Sequence, residues 1–187
     1  MASVARKISP VVAVIALSLA LAGCAAGHGP LQTTGLADFD DPESGPGGAT
    51  ICSALAPGAR GVTVSEDITN TSDLPLAITE VTLVGNDGIE LIEAFSIPGN
   101  NGRVGSDRYP MTFVSAETWE ARTPALGLIV QPDEEAHILL GLTLEDGVEY
   151  GQIDHIEISY SYSGAEYSAP GGITFVVAQP NCDVVPD

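Results

Sequence analysis

Hydrophobic and polar residues alternate with a period of two along most of the chain after Cys52. Gly, Pro, Asn and Asp residues separate the alternating runs. The clearest runs are Val62 to Ile68, Ile89 to Ile97, Ile138 to Leu144, Ile156 to Tyr162 and Ile173 to Val177. Such a pattern is typical of strands with one buried face. It predicts an all-β protein, a single antiparallel sandwich of about seven to nine strands.

Three local features refine this prediction. The alternation changes phase between Ile78 and Val81, which predicts a β-bulge near Thr79. Ser163-Gly164 predicts a turn that brings the strand containing Tyr160 back toward Tyr167. Helical periodicity is almost absent, and one short helix is expected, from Ser115 to Arg122.

The first 23 residues have the pattern of an export signal. Arg6 and Lys7 precede an apolar run that is too short to span a membrane as a permanent helix. The run ends in Leu21-Ala22-Gly23-Cys24, which resembles the lipobox of bacterial lipoproteins. That resemblance implies cleavage before Cys24 and a diacylglyceryl group on its sulfur. The protein would then be lipid-anchored at the cell membrane, on its extracytoplasmic face; the alternative is an ordinary secretory signal that happens to contain a cysteine.

The remaining cysteines follow from this assignment. With Cys24 carrying the lipid, Cys52 and Cys182 are left to pair with each other in an oxidising compartment. A redox or metal-binding role would call for a CxxC spacing or nearby histidines, and the sequence has neither. We therefore expect a structural disulfide that joins the two ends of the folded region.

Between lipid and domain, residues 24–49 are rich in Gly, Pro, Ser, Thr and Asp and lack apolar periodicity. This composition predicts a flexible acidic tether, with the folded domain covering residues 50–187. The acidic residues Asp38 to Glu43 do not match the calcium loop of an EF-hand, so a solvated tether is expected there.

Two segments resemble the immunoglobulin-like surface modules of bacteria. Ile68 to Ile78 is similar to their hairpin of strand, Asn-Thr turn, Pro and strand. Ile129 to Ala136 is similar to their later element, in which a Pro-Gly-Glu turn precedes a strand, with Asp133 where Gly is usual. The resemblance implies an Ig-like sandwich.

Charge narrows the range of partners. The whole chain has a formal net charge of −19. Removing the signal takes away Arg6 and Lys7 but none of the 25 acidic residues, which leaves four Arg, no Lys and a net charge of −21. So acidic a protein repels phosphate backbones and anionic headgroups, which argues against nucleic-acid binding and polybasic membrane docking.

Candidate chemistry is sparse. The sequence contains no G-x-S-x-G, H-E-x-x-H or P-loop motif. His137 and His155 fall on the phase opposite to the apolar residues of their strands, which predicts exposed side chains. Tyr160 and Tyr162 share the apolar phase, so packing is favoured over sugar stacking. No catalytic residue, metal site or cofactor is predicted.

One segment, Pro98 to Pro124, concentrates the scarce cations. It holds three of the four mature arginines, the only tryptophan and a tyrosine: Arg103, Arg108, Tyr109, Trp119 and Arg122. Such a set can hold an anionic group, a sugar or a partner peptide. Alternatively, Trp119 fills one end of the core and the arginines pair with nearby acids; this interpretation is favoured because Met111 to Val114 is expected to form a strand.

The sequence therefore predicts a membrane-anchored lipoprotein that acts as a non-enzymatic binding or adaptor module at the cell envelope. Its partner would be an envelope protein or a small ligand. A receptor for a small ligand or cation, associated with a transporter, is the alternative. An envelope hydrolase is a third hypothesis and needs histidines or carboxylates that converge in a pocket.

Overall fold

The computed structural model describes residues 29–33, 49–97 and 106–185, and within them the chain is almost entirely β-structure. The strands are β1 (Leu31–Thr33), β2 (Ala49–Ala54), β3 (Gly61–Asn70), β4 (Leu76–Val84), β5 (Ile89–Ser96), β6 (Ser106–Tyr109), β7 (Thr123–Pro124), β8 (Ile129–Val130), β9 (Glu135–Leu144), β10 (Tyr150–Ile153), β11 (His155–Tyr162), β12 (Ala165–Pro170) and β13 (Ile173–Ala178). A helix α1 (Ala116–Glu120) and a 3₁₀ turn (Cys182–Val184) complete them. Eight strands have six or more residues, which confirms the predicted all-β class.

Three sheets form a β-sandwich. Sheet A has the order β1-β3-β9-β5-β7, with β6 also paired to β3. Sheet B has the order β10-β13-β2 and sheet C the order β12-β11-β4-β8. Strand pairs are antiparallel except β2 and β13, which run parallel. The main core lies between sheet A and the other two sheets and draws buried residues from all three.

Strand β9 shows how the alternation builds two faces. Ile138, Leu140 and Leu142 are fully buried in the main core. The residues between them, including Leu139, point to the opposite face of sheet A, because successive side chains of a strand alternate. Leu139 is also fully buried, in a second and smaller apolar cluster. Sheet A is therefore covered on both sides over part of its length.

The β3–β4 connection departs from the predicted hairpin. Strand β3 lies in sheet A whereas β4 lies in sheet C, so Ile68 to Ile78 crosses between the layers. Asn70 is fully buried at the crossing, where its Nδ2 donates to the carbonyls of Leu74 and Val130 at 2.9 and 3.0 Å. These bonds tie the end of β3 to the β3–β4 connection and to β8. The hairpin prediction was wrong because local turn residues do not specify which sheet the next strand joins.

Other local predictions are confirmed. Ser163 and Gly164 adopt positive φ angles of 51° and 80° in the β11–β12 turn, and Tyr160 pairs with Tyr167 across it. The β4–β11 register shifts so that Thr79 has no partner on β11, which places a bulge there. Asp133 takes a φ of 58°, the left-handed conformation for which glycine is usual.

The predicted disulfide is present. Cys52 on β2 is bonded to Cys182 in the 3₁₀ turn after β13, across 130 residues of sequence. It connects the first long strand of the domain to its last segment, beside the parallel β2–β13 pair. The bond therefore closes a loop that contains nearly the whole sandwich.

Four residues of the predicted tether lie in strands: Ala49 begins β2, and three residues form β1. Leu31 to Thr33 form β1, which pairs antiparallel with the end of β3. Leu31 is 3% exposed and belongs to the main core. A single apolar residue in a polar segment gives no periodicity, so the sequence did not signal this strand. Residues 24–28 and 34–48 of the predicted tether lie outside the described residues, as does the predicted signal peptide 1–23.

Candidate functional site

An aromatic cluster lies on the outer face of sheet A, under α1 and the segment before it. Its buried members come from β5, β6, β9 and the residues that follow β5 and β6: Phe95, Ile97, Tyr109, Met111 and Leu139. Ile92, Val114 and Trp119 pack against them and are partly buried. We call this set the arginine–aromatic cluster, because Arg60 and Arg122 lie over two of its rings.

Helix α1 positions the tryptophan. Ser115 caps the helix by accepting a hydrogen bond from the Thr118 backbone N–H at 3.1 Å. The helix ends after one turn, which directs Trp119 onto the outer face of sheet A. The predicted helix from Ser115 to Arg122 is confirmed. The predicted strand from Met111 to Val114 is wrong: the described strands of this segment are β6 and β7, residues 112–114 form bends, and Met111 is buried in the cluster.

Trp119 is held on several sides. Its ring is edge-on to Phe95 and Tyr109, with centroid separations of 5.3 and 5.6 Å. The guanidinium carbon of Arg122 lies 4.4 Å from its centroid, within cation–π range. The same guanidinium donates through Nη1 to the Trp119 carbonyl at 3.0 Å.

Glu93 joins the polar groups of the cluster. Its Oε1 accepts hydrogen bonds from the Tyr109 hydroxyl at 2.7 Å and from Arg122 Nε at 3.0 Å. Burial raises the pKa of the Tyr109 phenol above its ordinary value of 10.0, and the Glu93 carboxylate adds to this effect. The phenol therefore stays neutral at physiological pH and donates a hydrogen bond to the Glu93 carboxylate.

Glycine at position 141 leaves room for Tyr109. A Cβ atom there would lie 2.6 Å from two carbons of the Tyr109 ring, far closer than real Cβ contacts. Gly141 is buried in the middle of β9, where glycine otherwise weakens a strand. Its role here is close approach: the ring of Tyr109 lies directly on the backbone of sheet A.

The structure brings three of the five predicted site residues together: Tyr109, Trp119 and Arg122. Arg108 precedes Tyr109 on β6 and is exposed, and its carbonyl accepts a hydrogen bond from Thr63 Oγ1. Arg103 lies outside the described residues. Arg60 was missed; its guanidinium carbon lies 5.7 Å from the centroid of the Tyr109 ring. It lies beside that ring because Gly61 pairs with Tyr109, a register that sequence spacing does not reveal.

A second group of chemically capable residues lies on β3 and β9. Asp67 and His137 face each other across the two strands, and Asp67 Oδ1 is 2.6 Å from His137 Nδ1. Glu135, two residues before His137, is exposed, and one ligand atom from each of the three side chains lies within 4.8 Å of the others. The predicted exposure of His137 was wrong: it is 9% exposed, because the outer face of sheet A is covered there.

The tyrosines of sheet C are used in packing, as predicted. Tyr160 is fully buried in the main core, and its ring stacks on Tyr167 with centroids 5.7 Å apart. Burial raises the pKa of the Tyr160 phenol, while the Leu31 backbone N–H donates to its oxygen at 3.3 Å. Tyr162 is half-buried and packs against the same core. His155 is only half-buried at the start of β11.

No family model and no curated protein matches this sequence. Among solved structures, the fold is similar to PapD-like domain 7 of human CEP192, with a TM-score of 0.40 and 6% identity, over 97% of this chain and 99% of that one. It is also similar to the VesB protease of Vibrio cholerae, with a TM-score of 0.35 and 12% identity, over 71% of this chain and 31% of that one. The adhesin CfaE of enterotoxigenic E. coli gives a TM-score of 0.34 and 13% identity, over 75% and 46%. No functional conclusion follows from these similarities.

No helix in the part of the chain that the structure describes is both long enough and apolar enough to cross a membrane.

Proposed function

We propose that the protein is a lipoprotein anchored at the extracytoplasmic face of the cell membrane, whose sandwich is a non-enzymatic binding or adaptor module. The observation that carries the proposal is the disulfide between Cys52 and Cys182. Of three cysteines it leaves only Cys24, which directly follows the apolar run and completes Leu21-Ala22-Gly23-Cys24. Disulfides persist in oxidising compartments, so the bond also favours export.

The surface that best fits a binding role is the arginine–aromatic cluster. Every cationic side chain among the described residues belongs to Arg60, Arg108 or Arg122, and all three lie in or next to this cluster. Arg60 and Arg108 are exposed, and Phe113 between Met111 and Val114 is 57% exposed. Arg122 and Trp119 form the framework, since each is already engaged with its neighbours. On so acidic a protein, this surface suits a partner peptide that presents carboxylates beside an apolar side chain.

Membrane anchoring is tested by Cys24→Ala. We expect wild-type protein in the membrane fraction and the variant in the soluble extracytoplasmic fraction, because two acyl chains bind a bilayer durably at about 0.8 kcal/mol per buried methylene. Unchanged partitioning of the variant would refute the anchor.

Binding at the cluster is tested by photocrosslinking in intact envelopes. A photoreactive residue at Phe113 should capture a defined partner, whereas the same residue at exposed Glu80 on β4 should not. Arg60→Glu should weaken the capture from position 113 by reversing the charge beside Tyr109. Identical products from positions 113 and 80, or capture that Arg60→Glu leaves unchanged, would contradict this surface.

The second candidate function, a cation receptor, is favoured by one observation. Asp67, Glu135 and His137 offer an imidazole and two carboxylates within 4.8 Å, a donor set that suits Zn²⁺ with water as a fourth ligand. Thermal unfolding with Zn²⁺ should show a rise in Tm that Glu135→Gln reduces, since this exposed side chain can be changed without opening the core. Ca²⁺ and small sugars serve as comparison ligands. If Zn²⁺ shifts wild type and Glu135→Gln equally, these side chains are not its ligands.

A further inference from the structure

We propose that the lipid anchor holds the sandwich with a defined end toward the bilayer, namely the end formed by Pro30, the β3–β4 connection and the turn before β9. This end is called the β3–β4 end below. The inference rests on the proposed lipid at Cys24 and names the surface that faces the lipid bilayer. A free tether of 26 residues, as the sequence predicted, would leave the domain without a preferred orientation.

The N-terminal segment is fixed to this end by contacts on both sides. The Pro30 carbonyl accepts hydrogen bonds from the Thr71 backbone N–H at 2.9 Å and from Thr71 Oγ1 at 2.7 Å. Leu31 pairs with Asn70, and its side chain is buried in the main core. Thr33 Oγ1 donates to the Pro170 carbonyl on β12 at 2.7 Å, so β1 links the edge of sheet A to sheet C.

Residue 29 is also tightly enclosed. A Cβ atom at Gly29 would overlap the Tyr160 hydroxyl and approach the Tyr167 ring at 2.9 Å. The chain therefore enters the fold against the buried Tyr160 and the partly buried Tyr167. Whatever lies before Gly29 leaves the domain from this point.

The length of chain between lipid and domain is short. From Cys24 to Gly29 there are five Cα–Cα steps, which span at most about 18 Å when fully extended. A free 25-residue coil would instead have a root-mean-square span of about 25 to 30 Å and a much longer reach. The β3–β4 end is thus confined near the headgroups, whereas the opposite end is not.

The opposite end lies along β3. Nine residue steps separate Gly61 from Asn70, a distance of about 30 Å at the rise of an antiparallel strand. Arg60 and the register pair of Gly61 and Tyr109 lie at that far end. The orientation therefore points the exposed Arg60 away from the membrane, where a partner can reach it.

The exposed side chains at the β3–β4 end are compatible with a position close to the bilayer but do not themselves attract anionic headgroups. Asp73, Asp133 and Glu134 are exposed there, and no cationic residue of the described ranges lies among them. Leu74 is 45% exposed beside Asp73 and is an apolar side chain placed to touch the headgroup region. The lipid, and not a basic patch, supplies the attraction.

Energy transfer to the bilayer tests the orientation. A donor dye is attached to Asp73→Cys in the β3–β4 connection or, as a matched control, to Asp146→Cys in the turn after β9, which lies at the far end and is also exposed. The lipidated full chain is placed in phosphatidylcholine vesicles containing an acceptor-labelled lipid. Because the positions differ by about 30 Å along the strands, we expect transfer from position 73 to be at least about twofold greater than from position 146.

A linker insertion completes the test. Twenty Gly/Ser residues inserted between Gly27 and His28 leave β1 and the core intact and should reduce the difference between the two positions. Equal transfer from positions 73 and 146 in wild type, or a difference that the insertion leaves unchanged, would overturn the orientation alone. Wild-type protein that is absent from the membrane fraction would overturn the anchor as well, so the two failures are distinguishable.

Discussion

The guanidinium of Arg122 lies over the ring of Trp119, 4.4 Å from its centroid, and is held there by a 3.0 Å bond from Nε to Glu93. One face of the tryptophan is therefore covered by a side chain of the same molecule. Phe95 and Tyr109 meet the ring edge-on. Tyr109, Trp119 and Arg122, three of the five residues that the sequence offered as a ligand site, thus belong to a small second core, and their exposed neighbours are what a partner can reach.

Trp119→Ala tests the structural weight of this second core. Fully buried Trp→Ala changes cost about 3 to 5 kcal/mol, and because Trp119 is only partly buried we expect a loss of about 2 to 3 kcal/mol in the free energy of unfolding. Urea denaturation at pH 7 measures it. Phe113→Ala, at a position 57% exposed, is the control and should change stability by less than about 0.5 kcal/mol. Similar losses in both variants would contradict the described packing.

Gly141→Ala tests the close approach of Tyr109 to sheet A. The new methyl would lie 2.6 Å from the Tyr109 ring, so the ring must move, and we expect a destabilisation of about 1 to 3 kcal/mol. Because Tyr109 contacts Trp119, the fluorescence maximum of this single tryptophan should shift as well.

A double-mutant cycle with Tyr109→Ala provides the control. Once the ring is removed, Gly141→Ala should cost markedly less, since the methyl then has space. If the cost of Gly141→Ala is the same with and without the Tyr109 ring, the effect arises from the backbone and not from this contact.

The alternation of apolar residues predicted where the strands lie in the sequence better than it predicted which strands pair with each other. It placed β3, β5, β9, β11 and β13 correctly because a half-buried strand imposes a period of two on its own residues. It could not show that β3 and β4 join different sheets, since that depends on contacts such as the one between Asn70 and Val130. Strand β1 was not predicted because Leu31 is its only buried residue, and one apolar residue produces no alternation.

The candidate site was predictable in part. Scarcity of cations singled out Trp119 and Arg122, which the fold does bring together. The phase of the apolar alternation along β9 correctly placed His137 on the outer face of sheet A. The prediction that His137 is exposed was wrong because that face is covered there. The sequence did not show that Arg60 and Glu93 lie next to Tyr109, because these contacts depend on the β3–β6 register and on the bulge in β5.

Removing the disulfide should destabilise the domain substantially. In the chain-entropy account, a crosslink closing a loop of this size, 130 residues, contributes about 4 to 5 kcal/mol by restricting the unfolded chain. We expect Cys52→Ser with Cys182→Ser to lower the free energy of unfolding by about that amount. Urea denaturation of the oxidised wild type and the double variant measures it, and wild type under reducing conditions should resemble the variant. Equal stability of the oxidised and double-variant proteins would contradict a structural role.

Alkaline pH should weaken the fold through its buried phenols. Burial raises the pKa of Tyr160 and Tyr109 above the ordinary value of 10.0, so both rings remain neutral in the folded state after those of the unfolded chain have ionised. Their contribution is fully present below about pH 10 and is lost as the pH rises through the folded values. The free energy of unfolding should therefore decline above pH 10.

Tyr160→Phe separates this effect from general alkaline damage. The variant loses the hydroxyl that accepts from Leu31, so it should be less stable at pH 7 by about 1 kcal/mol but decline less steeply above pH 10. Tyr150→Phe, at a position 41% exposed, should keep the wild-type slope. Three parallel curves above pH 10 would rule out a contribution from Tyr160.

Leu31→Ala should loosen β1, the segment through which the proposed lipid anchor would orient the domain. Leu31 is 3% exposed in the main core, and removing a buried leucine side chain costs about 2 to 5 kcal/mol; at the end of a three-residue edge strand we expect the lower part of that range. Hydrogen exchange at the Thr71 amide, which donates to Pro30, should accelerate in the variant because β1 then detaches more often. Gln32→Ala, on the exposed side of the same strand, is the control and should leave that exchange unchanged. Fast exchange at Thr71 in wild type would show that the segment is not bound, and it would contradict the proposed short connection between a lipid and the sandwich.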